Sequence, residues 1–137
     1  MKQEQLLAVM ASIGIALMLF LLYQHYHASS LAVCNITDKI SCDLVNKSEY
    51  STLLGIPVAL LGALFFLVLL LSIPRLENKV VLRWVARVST LALAFGLYLS
   101  FIEAFVLHEW CIFCELSKVV LLVIVILLWK KIKNHKL

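Results

Sequence analysis

The chain has 137 residues, of which 64% are hydrophobic and 15% charged, against roughly 45–50% apolar and about 25% charged in an average soluble domain. That composition excludes a disordered tail, a nucleic-acid-binding segment and a small water-soluble globule, and the length excludes a large multidomain enzyme. The formal net charge of +4, from 12 basic and 8 acidic residues, fits a membrane protein with basic cytoplasmic loops.

Four apolar runs follow in chain order, at about residues 6–23, 53–73, 84–107 and 112–129. Each is near the ~20 residues that cross a hydrocarbon core of about 30 Å. Unpaired backbone is costly in lipid, so each run is predicted to be a helix. The first run has a basic start, but it is longer than the ~7–15 residues of a signal-peptide core. It exits through Gln24-His25-Tyr26-His27-Ala28-Ser29-Ser30 with no clear cleavage site, so it reads as a retained helix. In the second run Gly55 and Pro57 mark the helix start, where a missing proline N–H is harmless. The predicted fold is an all-α integral membrane protein, a four-transmembrane-helix bundle forming a single membrane domain over residues 1–137.

Lys and Arg distribute unevenly about these spans. Lys2, Arg75, Lys79, Arg83, Arg87, Lys130, Lys131, Lys133 and Lys136 fall on one side, Lys39 and Lys47 on the other, and Lys118 inside the fourth span. Positive loops stay in the cytoplasm, which places both termini and the 74–83 loop there. Trp84 and Trp129 then lie at the inner interface, and Tyr23, Tyr26, Tyr50 and Trp110 at the outer one. The long 24–52 loop between helices 1 and 2 and the short 108–111 turn face outward.

All four cysteines fall on that outward side. Cys34 and Cys42 lie in the long loop, and Cys111-Ile112-Phe113-Cys114 opens the fourth helix. An exoplasmic compartment permits disulfides. A thiolate at a helix N-terminus meets the positive end of the helix dipole and free backbone N–H groups. A second dithiol nearby would allow disulfide exchange. Structural bridges are the bland alternative, but a C-x-x-C loop is too short to gain much entropy from closure. Zinc is a further alternative, since C-x-x-C is a zinc spacing, whereas the seven residues between Cys34 and Cys42 are wider than usual. Two redox couples and no metal is the preferred reading.

The run Cys42-Asp43-Leu44-Val45-Asn46-Lys47-Ser48-Glu49-Tyr50, then Gly55-Ile56-Pro57, then Cys111-Ile112-Phe113-Cys114, resembles the vitamin K epoxide reductase family. The likeness covers about residues 6–130 and is greatest to bacterial homologues that reoxidise disulfide-forming proteins. The resemblance implies that Cys34 and Cys42 form a shuttle pair and Cys111 and Cys114 the active-site pair. An external thioredoxin-like (DsbA-type) oxidase would attack the Cys34–Cys42 disulfide, and Cys42 would then attack at Cys111. Cys114 would pass electrons to a quinone of ubiquinone, menaquinone or vitamin K type held between the helices. Ser48 matches the serine that hydrogen-bonds the quinone head, within a short surface helix over 40–52. Many bacterial homologues carry a fused thioredoxin-like domain. This chain ends at Leu137, so the partner is expected to act in trans. Lys118 stands where the animal enzymes carry a tyrosine, which argues for a quinone rather than an epoxide. The expected location is a bacterial inner membrane, with the cysteines on the periplasmic side and no nucleic-acid partner. The rival readings are vitamin K epoxide reduction in an ER membrane and a non-catalytic membrane subunit with structural disulfides.

Three polar features remain. Glu103 sits inside the third span, where a charge costs roughly 2.5–3.5 kcal/mol. It is either a proton relay facing the bundle, or close enough to the interface to stay hydrated or pair with Lys118. Ser89, Ala92, Gly96, Ser100 and Glu103 recur at helical spacing as a small-residue stripe suited to close packing. Lys118 is expected to snorkel outward from the fourth helix. His25, His27 and His108 cluster near the outer interface rather than in mid-span, which disfavours haem.

Overall fold

Lipid offers no partner for peptide groups, so each apolar run must close its hydrogen bonds within itself. A computed structural model of the chain describes residues 2–26, 52–108 and 110–135. It contains α1 (Lys2–Tyr26), a hairpin of β1 (Thr52–Leu53) and β2 (Ile56–Pro57), α2 (Val58–Ser72), α3 (Lys79–Ile102) and α4 (Ile112–His135). A 3-10 turn at Ile73–Arg75 extends α2, and a π-helical turn at Glu103–Leu107 extends α3. With these extensions, four helices among the described residues are long and apolar enough to cross a membrane. The protein is the all-helical membrane bundle that the sequence implies. The surface helix expected over 40–52 lies outside the described residues except at Thr52, which pairs in β1.

The helix ends differ from the expected bounds for local reasons. α1 starts at Lys2, because its polar flank finds partners on α4: Gln3 Nε2 donates to Leu127 O at 2.6 Å, and Glu4 pairs with Lys131 at 3.2 Å. α2 starts at Val58 rather than 53, because Leu54 and Gly55 both take positive φ, 54° and 82°. Two successive positive-φ residues are the mark of a type I′ hairpin turn, and Pro57 then sits at the N-cap. α3 starts at Lys79 because the Asn78 side chain accepts the Val80 N–H at 2.9 Å, an N-cap that sequence periodicity does not reveal.

Packing is uneven around the bundle. α1 lies against both α2 and α4, and α3 against α4, while α2 and α3 barely touch. Glycines allow the close approach of α1 to α2: a Cβ on Gly14 would sit 2.6 Å from the Phe66 ring, and one on Gly62 2.5 Å from Met18 Sδ. Such small-residue contacts are how helices pack where lipid gives no hydrophobic drive. The main core, including Leu7, Ala11, Phe66, Leu82, Ile124 and Leu128, fills the end bearing Arg75, Lys79 and Lys131. A smaller cluster of Leu21, Ala59 and Cys111 fills the cysteine end. Leu64, Val68, Leu91, Phe101, Val119 and Ile126 point outward, as expected where the solvent is hydrocarbon. The splay between α2 and α3, at the cysteine end of the bundle, is what leaves room for a site.

Candidate active site

Cys111 is the residue just before α4, and Cys114 lies in its first turn. Cys111 is fully buried, Cys114 is half-buried, and both are unbridged thiols in this structure. Cys111 behaves as an N-cap: its Sγ accepts the Cys114 N–H at 3.3 Å, and its carbonyl accepts the Glu115 N–H at 3.0 Å. A side-chain acceptor for the third N–H of a helix satisfies one of the four donors left open at a helix start. Ser117 Oγ donates to the Cys114 carbonyl at 2.7 Å, and the Phe113 ring packs edge-on against Phe20 of α1, 4.9 Å between centroids. Backbone bonds and a ring contact thus hold the helix mouth in place.

Glu103 comes from the π-helical turn at the end of α3. π-helical turns in general recur at functional sites. The extra residue of such a turn rotates the helix face, and here the Glu103 carboxylate points inward, 4% exposed. Its Oε2 accepts the Cys111 N–H at 3.3 Å, and its Oε1 pairs with Lys118 Nζ at 3.2 Å. The carboxylate therefore faces the bundle rather than water, and it pairs with Lys118.

Lys118 does not snorkel outward. Its side chain is 11% exposed and turns into the bundle, where Nζ donates to Ser100 Oγ (2.7 Å), Glu115 Oε1 (2.7 Å) and Glu103 Oε1 (3.2 Å). The reason is local: three acceptors converge one turn below the cysteines, so the ammonium is better satisfied inside than at the interface. Gly96 makes this possible, since a Cβ there would meet the Lys118 Cγ at 3.3 Å. The stripe of α3 carries the arrangement: Ser89 is buried, Gly96 and Ser100 meet Lys118, and Glu103 closes the row. Ser100 and Glu115 are site residues that the sequence reading did not single out for this role. Their signal was available in the spacing, Ser100 at the third position before Glu103 and Glu115 at the third before Lys118.

A cavity of about 340 Å³ lies between the splayed α2 and α3. Its walls are apolar, with Ala59, Phe65 and Phe66 from α2, Phe95 and Leu99 from α3, and Leu21 from α1. Its polar corner is formed by Cys114, Ser117 and Lys118 of α4 together with Glu103. A concave apolar chamber with a few convergent polar groups is the usual form of a small-molecule site. Cys111 and Cys114 thus lie beside Glu103, while Cys34, Cys42 and Ser48 lie outside the described residues.

These features define a multi-spanning helical membrane protein with a dithiol at the rim of an apolar chamber. Residues 5–129 match the vitamin K epoxide reductase family, and the chain belongs to that family. Members of the family are membrane oxidoreductases that act on disulfides and quinones.

Proposed function

We propose that this protein oxidises a thioredoxin-like partner and passes the electrons to a membrane quinone. The observation that supports this most directly is the position of Cys114: it lies in the C-x-x-C pair and lines the apolar cavity. In this reading, the partner's dithiol reduces a Cys34–Cys42 disulfide and is itself oxidised. Cys42 then attacks Cys111, forming a Cys42–Cys111 bond and releasing Cys114 as a thiolate, and Cys34 attacks Cys42, which re-forms the Cys34–Cys42 disulfide and frees Cys111. Reclosure of the Cys111–Cys114 bridge delivers two electrons to the quinone, which becomes a hydroquinone.

The cavity suits such an oxidant. Its volume falls at the lower end of the 300–1,000 Å³ typical of small-molecule sites, its walls accept a planar ring and an isoprenoid chain, and its polar atoms lie together beside Cys114. The thin α2–α3 contact offers lateral entry from the bilayer. Ser48 serves as a hydrogen-bond donor to the quinone head, and Glu103 borders the polar corner where quinone reduction takes up protons. The excess of Lys and Arg at the end opposite the cysteines supports cytoplasmic termini, with the dithiols on the periplasmic side of a bacterial inner membrane.

The test is trapping. In a Cys114→Ala variant the Cys111 thiol has no partner of its own, so its attack on the Cys34–Cys42 bridge at Cys42 releases Cys34 as a thiolate and leaves a Cys42–Cys111 disulfide that mass spectrometry is expected to find. Turnover of a reduced thioredoxin-like partner is expected to stop. Unchanged quinone-dependent turnover in Cys114→Ala would refute the assignment. Assaying the wild-type protein with vitamin K epoxide against quinone separates this reading from epoxide reduction.

A further inference from the structure

The polar corner of the cavity extends beyond the cysteine pair. Lys118 Nζ, Ser100 Oγ, Glu103 and Glu115 form one connected hydrogen-bonded set, closed by Ser100 Oγ donating to Glu115 Oε1 at 2.9 Å. The set has two ends. Lys118 and Glu103 line the cavity at the inner end, while the Glu115 carboxylate, 34% exposed, reaches the surface in the first turn of α4.

Two carboxylates share one ammonium here, and they are not equivalent. Glu103 has both oxygens committed, one to Lys118 and one to the Cys111 N–H. An ionised carboxylate only accepts hydrogen bonds, whereas the ammonium carries three protons. Among the described cavity-lining residues, Lys118 is therefore the group best placed to give a proton to a bound molecule. Its longest bond, 3.2 Å to Glu103, is the one an oxygen in the cavity would displace. Lys118 also follows Cys114 by four residues, about one helical turn, and both line the same cavity. Beyond Glu103, Glu115, Cys111 and Cys114, the described residues around this corner bring no further ionisable group: α1 lines the cavity with Met18 and Leu21, α2 with an apolar wall, and α3 with Gly96, Leu99 and Ile102.

We infer that Lys118 is the proton donor to the quinone and that Glu115 is the inlet through which it is reloaded from water. Ser100 holds this pair together, and Glu103 positions Lys118 against the start of α4. The inference rests on the dithiol-to-quinone reading. The step balances as follows. The Cys111 and Cys114 S–H bonds break and an S–S bond forms, releasing two electrons and two protons. The quinone takes both electrons and becomes a hydroquinone. One of its oxygens takes a thiol proton, and the other takes the Lys118 proton. The second thiol proton leaves to water, and one proton returns from water through Glu115 to Lys118.

The experiment is single-turnover reduction of a short-chain benzoquinone by the full-length, prereduced protein in lipid nanodiscs, followed by stopped-flow absorbance. Lys118→Arg keeps the charge and the donors, but a guanidinium does not release its proton in proteins. Glu115→Gln keeps the hydrogen bonds and removes the inlet. General acid catalysis contributes typically 10²–10⁴-fold, so each variant is expected to slow hydroquinone formation on the order of 100-fold, with quinone KM changed by less than about threefold. A larger solvent deuterium effect and partial recovery of Glu115→Gln by added formate are expected as well. A wild-type rate in Lys118→Arg would show that charge alone suffices and overturn the inference. So would an unchanged rate in Glu115→Gln, or a loss of rate matched by a rise in KM. Absence of any hydroquinone from the unsubstituted protein would instead overturn the underlying dithiol-to-quinone reading.

Discussion

Replacing Lys118 by methionine is the perturbation whose cost the structure defines best. The substitution keeps an unbranched stem beside Gly96 and removes the ammonium. Glu103, 4% exposed, then retains only the Cys111 N–H as a partner. An average polar contact between membrane helices is worth about 0.6 kcal/mol, but stranding one member of a buried ion pair costs about 3–5 kcal/mol. Charge desolvation dominates, so Lys118→Met is expected to lower stability by about 3–5 kcal/mol, or two to three and a half orders of magnitude in the unfolding equilibrium. Adding Glu103→Gln removes the stranded charge, and the pair should show a coupling of about 1 kcal/mol or more. An internal control lies at the other end of the bundle. Lys131 pairs with Glu77 at 3.6 Å, but Glu77 is 72% exposed, so Glu77→Gln should cost about 1 kcal/mol or less. Reversible unfolding in mixed micelles titrated with dodecyl sulfate measures the unsubstituted protein, the single variants Lys118→Met, Glu103→Gln and Glu77→Gln, and the double variant. If Lys118→Met is no more destabilising than Glu77→Gln, the buried-network reasoning is wrong.

Other substitutions probe the packing, the cavity and the orientation. Gly14→Val places side-chain atoms where the Phe66 ring sits, 2.6 Å from the first added carbon, and should destabilise by about 1–3 kcal/mol in the same unfolding assay. Leu99→Trp adds volume on the wall of the 340 Å³ cavity. It should raise the KM for quinone while leaving thiol exchange with a partner protein unchanged, and a KM at the wild-type value would place the quinone elsewhere. Lys133→Cys, in a background lacking the native cysteines, should react with a membrane-impermeant maleimide only from the cytoplasmic face. Labelling from outside would reverse the proposed topology.

Much of the architecture was legible in the sequence because lipid imposes one rule on every residue of a span: an apolar side chain and a closed backbone hydrogen bond. The cysteine pair at the start of α4 was equally plain, since local spacing places it. What was not legible depends on geometry that neighbouring residues do not encode. The π-helical turn that swings Glu103 inward has no composition cue, and Lys118 on its own looks like a residue that reaches for water. Only when α3 and α4 are brought together do Ser100, Glu103 and Glu115 outcompete the interface for its ammonium. The hairpin that delays α2 to Val58 was half visible: Gly55 and Pro57 marked the helix start, but positive φ at Leu54 is rare for a leucine and has no sequence signature.

The measurement that bears most directly on the whole account is stoichiometric. Prereduced protein is mixed with a soluble quinone, and hydroquinone is counted against the loss of free thiol at Cys111 and Cys114 by mass spectrometry. With Cys34 and Cys42 replaced by alanine, one hydroquinone formed for each Cys111–Cys114 bridge closed, and none once Cys114→Ala is added, is the expected result. Hydroquinone produced at the wild-type rate by Cys114→Ala, or a bridge that stays open while quinone is consumed, would contradict it.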